Sequence, residues 1–268
     1  GGAGTTFRGP PPQTLSGNLT SLQVIGTAFR AIDITGNPDL TPESATTYNA
    51  GVILDTGVLC ASVDYFRYDF DGPLEGEPVS GIVNALFGAT GAANCNNPAF
   101  AALQSRFTFT AAGCGIGNVT RLKTFVVNSA DVRTSGIDFQ ASARDTFGEL
   151  ELESGFSGTY VIEYKVDDVT VEGVLAHPAF DAAGLLNFQT TAYPLPEWKG
   201  NVYLQGEYGP HSLRFQYNYI DGYTDQRTAE FGPNLPALAG ASVAAGKQIG
   251  SMTTVDLTWR WSLFDATT

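Results

Sequence analysis

The sequence predicts an all-β fold, an antiparallel up-and-down transmembrane β-barrel, from three observations. Segments of about ten residues alternate apolar and polar side chains. The connections between them are by turns very short and very long, and charged residues make up only 15% of the chain while aromatics reach 12%. An ordinary soluble domain carries roughly 25% charge. Successive side chains of a strand point to opposite faces, so a wall between lipid and a wet lumen reads greasy on one face and polar on the other. No run of about 18 apolar residues offers a helical span, and a barrel evades that test because lipid meets only every second residue.

Eight strands follow in order. Leu22–Arg30 and Thr46–Leu54 open the set, the second after a proline-punctuated segment. Val58–Asp69 puts Cys60, Ser62 and Asp64 on its polar side and ends in Tyr65, Phe66, Tyr68 and Phe70, a cluster that suits a membrane interface. Arg121–Arg144 is long, and its alternation restarts at Ile137, Phe139 and Ala141. That restart predicts a bulge near Ser129–Asp131 or, alternatively, two strands with a turn at Asn128–Asp131. In Glu149–Lys165, Leu150, Leu152, Phe156, Tyr160, Ile162 and Tyr164 share one face, and Glu149, Glu151, Glu153, Thr159 and Glu163 the other. Gly200–Tyr208 precedes Ser212–Ile220, where Leu213, Phe215, Tyr217 and Tyr219 alternate with Arg214, Gln216 and Asn218. Met252–Phe264 sets Val255, Leu257, Trp259 and Trp261 against Thr254, Asp256, Thr258 and Arg260.

The connections sort into two groups. Asp55–Gly57, Asp145–Phe147 and Gly209–His211 are tight turns built from Gly, Pro and Asp, whereas Asp71–Thr120, Val166–Lys199 and Asp221–Ser251 are long and irregular. Outer-membrane barrels place short turns on one side and long loops on the other.

A net charge of −13 argues against a nucleic-acid partner, which needs a basic footprint. Three cysteines are present: Cys95 and Cys114 share a Gly/Asn/Pro-rich stretch and are read as a disulfide formed in an oxidising compartment, with Cys60 free; the alternative is three unpaired thiols. His177 and His211 are far apart, no metal-ligand spacing occurs, and no cofactor is expected. Neither a nucleophile elbow nor a phosphate loop appears, so the chain is not read as an enzyme.

One segment carries more than composition. Asn37-Pro38-Asp39-Leu40-Thr41-Pro42-Glu43 stands just before Thr46-Thr-Tyr48-Asn-Ala-Gly51. The prolines fix an extended turn, and Asp39 and Glu43 are placed to accept bonds from nearby backbone donors. The segment closely resembles the Asn-Pro-(Asp/Glu)-Leu-x-Pro-Glu stretch of TonB-dependent outer-membrane receptors. Phe29-Arg-Ala31 is similar to that family's Phe-Arg-Ala-Pro with Ile32 in place of the proline, and Ser135-Gly-Ile-Asp-Phe139 to its Gly-Val-Glu-Leu strand opening. Leu195-Pro-Glu-Trp-Lys199 is similar to its Leu-Pro-x-x-Lys/Arg approach to a late strand, and Cys95 to Cys114 to a cysteine-bearing outer loop of some members. The landmarks occur in family order.

The resemblance implies that residues 1–268 are the C-terminal part of a transporter barrel of about 22 strands in the bacterial outer membrane, cut at both ends and without its plug. It implies uptake of a scarce small-molecule solute (a siderophore, cobalamin or carbohydrate), driven by the TonB complex acting through the plug, with lipid around the wall. Loop residues expected to meet solute are Asp71, Glu75, Asp167, Asp168, His177, Tyr223, Asp225 and Arg227, with Asp69, Glu77 and Asp221 beside them. Residues expected to face the lumen or plug are Asp64, Asp138, Glu151, Glu153, Arg214, Asp256 and Arg260. Two alternatives are a small outer-membrane anchor or adhesion barrel and a soluble all-β binding module. Trypsin is expected to cut the long loops near Arg106 or Arg227.

Overall fold

The computed structural model describes residues 1–187, 193–225 and 246–262. The chain begins on β1 (Gly2–Arg8), then passes through the short helix α1 (Pro12–Ser16) and the hairpin β2 (Asn18–Ile25) and β3 (Ala28–Thr35). Long strands β4 (Glu43–Asp55) and β5 (Leu59–Asp71) follow. An excursion then carries β6 (Leu74–Gly76), α2 (Val79–Phe87), α3 (Ala101–Gln104), β7 (Phe107–Phe109) and β8 (Val119–Asn128). After β9 (Val132–Phe147) and β10 (Leu150–Val166) come the small strands β11 (Val169–Val171), β12 (Val174–His177) and β13 (Phe180–Asp181). β14 (Trp198–Tyr208), β15 (His211–Ile220), the pair β16 (Tyr223–Asp225) and β17 (Lys247–Ile249), and β18 (Met252–Trp261) complete the described chain.

β1, β4, β5, β9, β10, β14, β15 and β18 pair in that order into one antiparallel wall that is not closed on itself. The wall departs from the sequence expectation in four places. Leu22–Arg30 is not a wall strand: Gly26, at φ +64°, turns the chain into the β2–β3 hairpin. The edge strand β1 was missed because Gly2, Gly4 and the threonines hide its alternation. Arg121–Arg144 is the two-strand alternative, broken at Ser129–Asp131, and what departs from expectation is that β8 leaves the wall to pair in parallel with β3. The second tight turn falls at Gly148-Glu149 rather than Asp145–Phe147.

Register gives the wall two unlike faces. Val52, Val63, Phe139, Leu204 and Leu257 lie on one, with Val52 73% and Leu257 69% exposed, a greasy surface that only lipid would cover. Ser62, Asp64, Gln140, Thr159, Gln205 and Asp256 lie on the other. Two aromatic girdles bound the greasy band. Phe147, Tyr208, Trp259 and Trp261 stand at the short-turn end, and Tyr65, Tyr160 and Trp198 at the other, where the Tyr160 and Trp198 rings stack at 4.7 Å. Along β10 the band runs from Leu150 to Tyr160, about 33 Å at ~3.3 Å per residue and about 25 Å across a membrane at ~40° tilt.

Above the upper girdle the two faces exchange character. On the outside Tyr65, Ile137 and Tyr160 give way to Arg67, Ser135 and Glu163, then to Asp69, Arg133 and Lys165. On the inside Asp64 and Asp138 give way to Phe66 and Gly136, then Tyr68 and Thr134, then Phe70 and Val132. The sequence reading put Phe66, Tyr68 and Phe70 in the interface belt with Tyr65, but they point inward. It also kept Glu163 inside and Tyr164 outside. A register shift between Val161 and Glu163 reverses both.

The long loops are not irregular. Residues 9–42, 72–131 and 167–187 contribute to a folded cap with a second sheet, β2-β3-β8-β6, flanked by β7. α2 buries Ile82, Val83, Leu86 and Phe87 against Ile25, Ile32, Leu103, Leu122, Val171 and Ala176. Its apolar residues recur at i, i+3, i+4, i+7 and i+8 from Val79, a helical period legible in the sequence. Cys95 and Cys114 are joined as a disulfide, their Cα atoms 5.7 Å apart, beside this core, and Cys60 is a free thiol.

The family-like segment joins cap to wall. Asn37, rather than Asp39, closes a turn by accepting the Asp39 N–H at 2.9 Å, and Leu40 is buried. Glu43 accepts the Leu74 N–H at 2.8 Å and pairs with Arg8 at 2.8 Å. The Asn128 side chain accepts the Thr41 N–H and donates to the carbonyls of Thr41 and Gly72, each at 2.9 Å, clasping three chain segments where β8 ends.

Arg106 pins the cap from within. Its guanidinium bonds Glu77 at 2.9 Å and Glu172 at 2.6 Å and lies over the Phe125 ring at 4.5 Å. Only 13% of the side chain is exposed, so trypsin should pass over this arginine in the native protein. Arg106→Ala would strand the buried Glu77 carboxylate and is expected to destabilise the cap by about 3–5 kcal/mol. Hydrogen exchange at α2 and the loss of trypsin resistance in the cap measure it; unchanged exchange would show that the ion pair holds nothing together.

Candidate functional site

All seven residues expected to face the lumen fall on the polar inner face, and the register says how they meet. Asp64 stands directly across from Asp138, and the Asp138 carboxylate accepts the Thr159 hydroxyl at 2.7 Å. Glu153 pairs with Arg144 and accepts the Tyr203 hydroxyl at 2.6 Å. Arg214 lies over the Tyr203 ring at 3.8 Å and donates to Gln205 and Gln216. Gln216 donates to Asn218, which donates in turn to Asp256 at 2.7 Å. Glu151 lies across from Glu207, and Arg260 across from Ser212. The Tyr203 position depends on Gly155 opposite, where a Cβ would sit 2.3 Å from the ring.

Above this network the wall holds a hollow of about 520 Å³ lined by Ser62, Asp64, Asp138, Thr159, Lys199 and Asn201, among others. Asn201 donates to Ser157 at 2.8 Å. Arg144, Asn201 and Tyr203 were not singled out from the sequence, and Asn218 and Lys199 were named there only as a polar-face position and part of a landmark. The two-residue period of each strand was the signal that would have found them.

Of the described loop candidates, Asp71 and Asp167 share with Asp69 the lining of a hollow of about 240 Å³ beside Arg133 and Lys165, and the others lie apart from it. Asp71 ends β5 across from Ser44, Asp69 sits between Arg67 and Arg133 on the outer face, and the Asp167 N–H donates to the Asp131 carbonyl. Asp168 closes a turn by accepting the Ala179 N–H at 2.6 Å. His177 is buried in the cap with its ring 4.8 Å from that of Phe180, and burial holds its imidazole below the ordinary value. Glu77 serves the Arg106 cluster, and Asp221 accepts from the Tyr219 hydroxyl and the Gly222 N–H. Tyr223 and the buried Asp225 lie on β16, while Arg227 lies outside the described residues. Glu75, at the junction of cap and wall near Glu43 and Tyr164, is the exception in its chemistry. Burial, opposed by a hydrogen bond from Ser129 and reinforced by the Glu43 charge, pushes its carboxyl up to about 7.

Among the described residues no group of His, Cys, Asp and Glu could hold a metal ion. A family model described as TonB dependent receptor-like, beta-barrel, matches residues 1–267. Among solved structures, the chain is similar to the ferric enterobactin receptor of Pseudomonas aeruginosa at 13% identity and a TM-score of 0.55, with 98% of this chain and 30% of that one covered. It is likewise similar to the siderophore receptor PirA from Acinetobacter baumannii at 14% identity and a TM-score of 0.56, covering 98% of this chain and 32% of that one. At these identities the likeness establishes the fold. The chain therefore spans about a third of the length of these structures. No curated protein matches it.

Glu75 makes the junction sensitive to pH. Its folded value of about 7 lies above the ordinary 4.5, so the folded state holds the extra proton between those values. Stability from this group is therefore present at acid pH and lost as pH rises through 7. The cap of the wild-type protein should loosen between about pH 5 and 7, by hydrogen exchange of β6, and Glu75→Gln should abolish that dependence. A wild-type cap equally protected at pH 5 and 8 would contradict it.

Proposed function

The chain belongs to the TonB-dependent receptor β-barrel family, whose model it matches almost end to end, and from that premise we propose that it forms part of the wall and outer cap of a solute importer. The family is one of outer-membrane transport receptors, not of enzymes. In this reading residues 1–268 are one section of a single barrel domain of about 22 strands, and the remaining strands and a lumen plug belong to the rest of the protein. The solute is a small molecule held between cap and inner wall, and the TonB complex acts through the plug to release it inward.

The observation that carries the reading is the pairing of faces. A greasy band about 25 Å tall, bounded by two aromatic girdles, backs an inner face that is polar apart from Ile53 at the β4 end. A soluble module would use its greasy stripes as a shared core, but Val52, Leu204, Val255 and Leu257 are each at least half exposed.

Orientation is testable in cells expressing the whole protein with Cys60→Ser. A membrane-impermeant maleimide should label Ala111→Cys in the cap on intact cells, and Gly57→Cys in a short turn only after permeabilisation. The reverse pattern would invert the wall. Dissipating the proton gradient should leave solute bound at the surface while its accumulation stops; accumulation that continues would remove the energised mechanism.

A further inference from the structure

We propose that the inner face of β5 is a rail for a neutral, polyhydroxylated solute, a linear glycan, leading from the cap into the hollow below. The proposal deepens the importer reading and rests on it. Ser62, Asp64, Phe66, Tyr68 and Phe70 occupy every second position of one strand and share one face, a run of about 26 Å at ~3.3 Å per residue.

The upper three positions are aromatic rings. Their centroids are 5.7 Å apart from Phe66 to Tyr68 and 6.3 Å from Tyr68 to Phe70. Tyr68 is 39% and Phe70 37% exposed, although both stand on the inner side above the lipid band. Their cross-strand neighbours are short: Thr47 and Thr134 beside Tyr68, Ala45 and Val132 beside Phe70. Rings beside short neighbours offer apolar contact to a flat partner with an apolar face and polar edges.

The lower positions supply the edges. The hollow is lined by hydroxyls, amides and the facing Asp64 and Asp138 together with Phe139, Tyr219 and Ile220, and Lys199 is the cation among its lining residues. Carboxylates accept from hydroxyls, and amides both donate and accept. The neighbouring arginines are committed: Arg144 to Glu153, Arg8 to Glu43, and Arg214 to Tyr203, Gln205 and Gln216. Among the described lining residues an anionic metal chelate would meet the Asp64–Asp138 pair with Lys199 as the one cation to offset it. A neutral sugar meets no such penalty and satisfies both parts of the rail.

The test is calorimetry on the whole purified receptor, with maltohexaose, cellohexaose and xylohexaose as neutral probes and a ferric catecholate chelate as the anionic one. At least one glycan should bind and the chelate should not. Tyr68→Ala and Phe70→Leu should each weaken glycan binding about tenfold or more, while Tyr68→Phe stays near wild type. Each variant is checked for its heat-modifiable barrel band, and Phe70→Leu keeps apolar bulk should Tyr68→Ala fail to insert. Chelate binding without glycan binding overturns the rail and leaves the importer reading standing. Absence of glycan binding, or binding indifferent to both ring removals, also overturns it. A protein absent from the outer membrane fails the importer reading itself.

Discussion

The constraint on which the rest of this structure depends is the backbone's need for partners where there is no water. An amide left open in hydrocarbon costs several kcal/mol, so a sheet crossing it must keep its ladder unbroken. The register across β4, β5 and β9 is continuous over the whole greasy band, as is that of β14, β15 and β18. β10 slips against β9, and it does so between Val161 and Glu163, just past the girdle residue Tyr160. Above that level water can serve the backbone group that the slip leaves over. The bulge sits where the medium first permits it.

The same change of medium explains the exchange of faces. Below the girdle the outside must be apolar; above it the outside is wet, and Arg67, Asp69 and Arg133 make ion pairs there. The inside is then free to become apolar, and Val132, Val161 and Val166 are buried at that level. The long connections complete the change, for the cap has the buried core, disulfide and interior ion cluster of a small soluble domain.

Legibility in the sequence followed this division. Strands in lipid announce themselves because one face has no chemical latitude: Leu213 to Tyr219 and Val255 to Trp261 were readable to within a few residues. Strand parity put Asp64, Glu153 and Arg214 on the polar face, and the register sets them on one face of the wall. Where the medium changes, alternation changes meaning without breaking, so Tyr65, Phe66, Tyr68 and Phe70 read as one interface cluster although they divide between the two faces, and Tyr164 was assigned to the wrong side. The Glu163 reversal turns on one extra residue that no pattern marks. β1 was invisible because glycine and threonine suit either face. In the cap, the helical period from Val79 to Phe87 was present but passed over inside a stretch of loop-like composition, and the roles of Glu77 and His177 depend on partners from distant segments.

The inner network has a mechanical consequence that follows from where its charges find partners. Arg144 and Glu153 meet across β9 and β10, Arg214 is held by β14 and β15, and Asp256 is reached through Asn218. Each link runs sideways within the sheet, not across the lumen. Removing one partner of a desolvated ion pair is costly, so a wall whose charges were satisfied by the lumen's contents would resist letting those contents move. Here Arg144, Arg214 and Asp256 find their partners within the sheet, so in the proposed importer the passage of an occupant would leave their charges satisfied. A transporter wall must hold its shape while what it encloses changes place, and a laterally satisfied face meets that requirement.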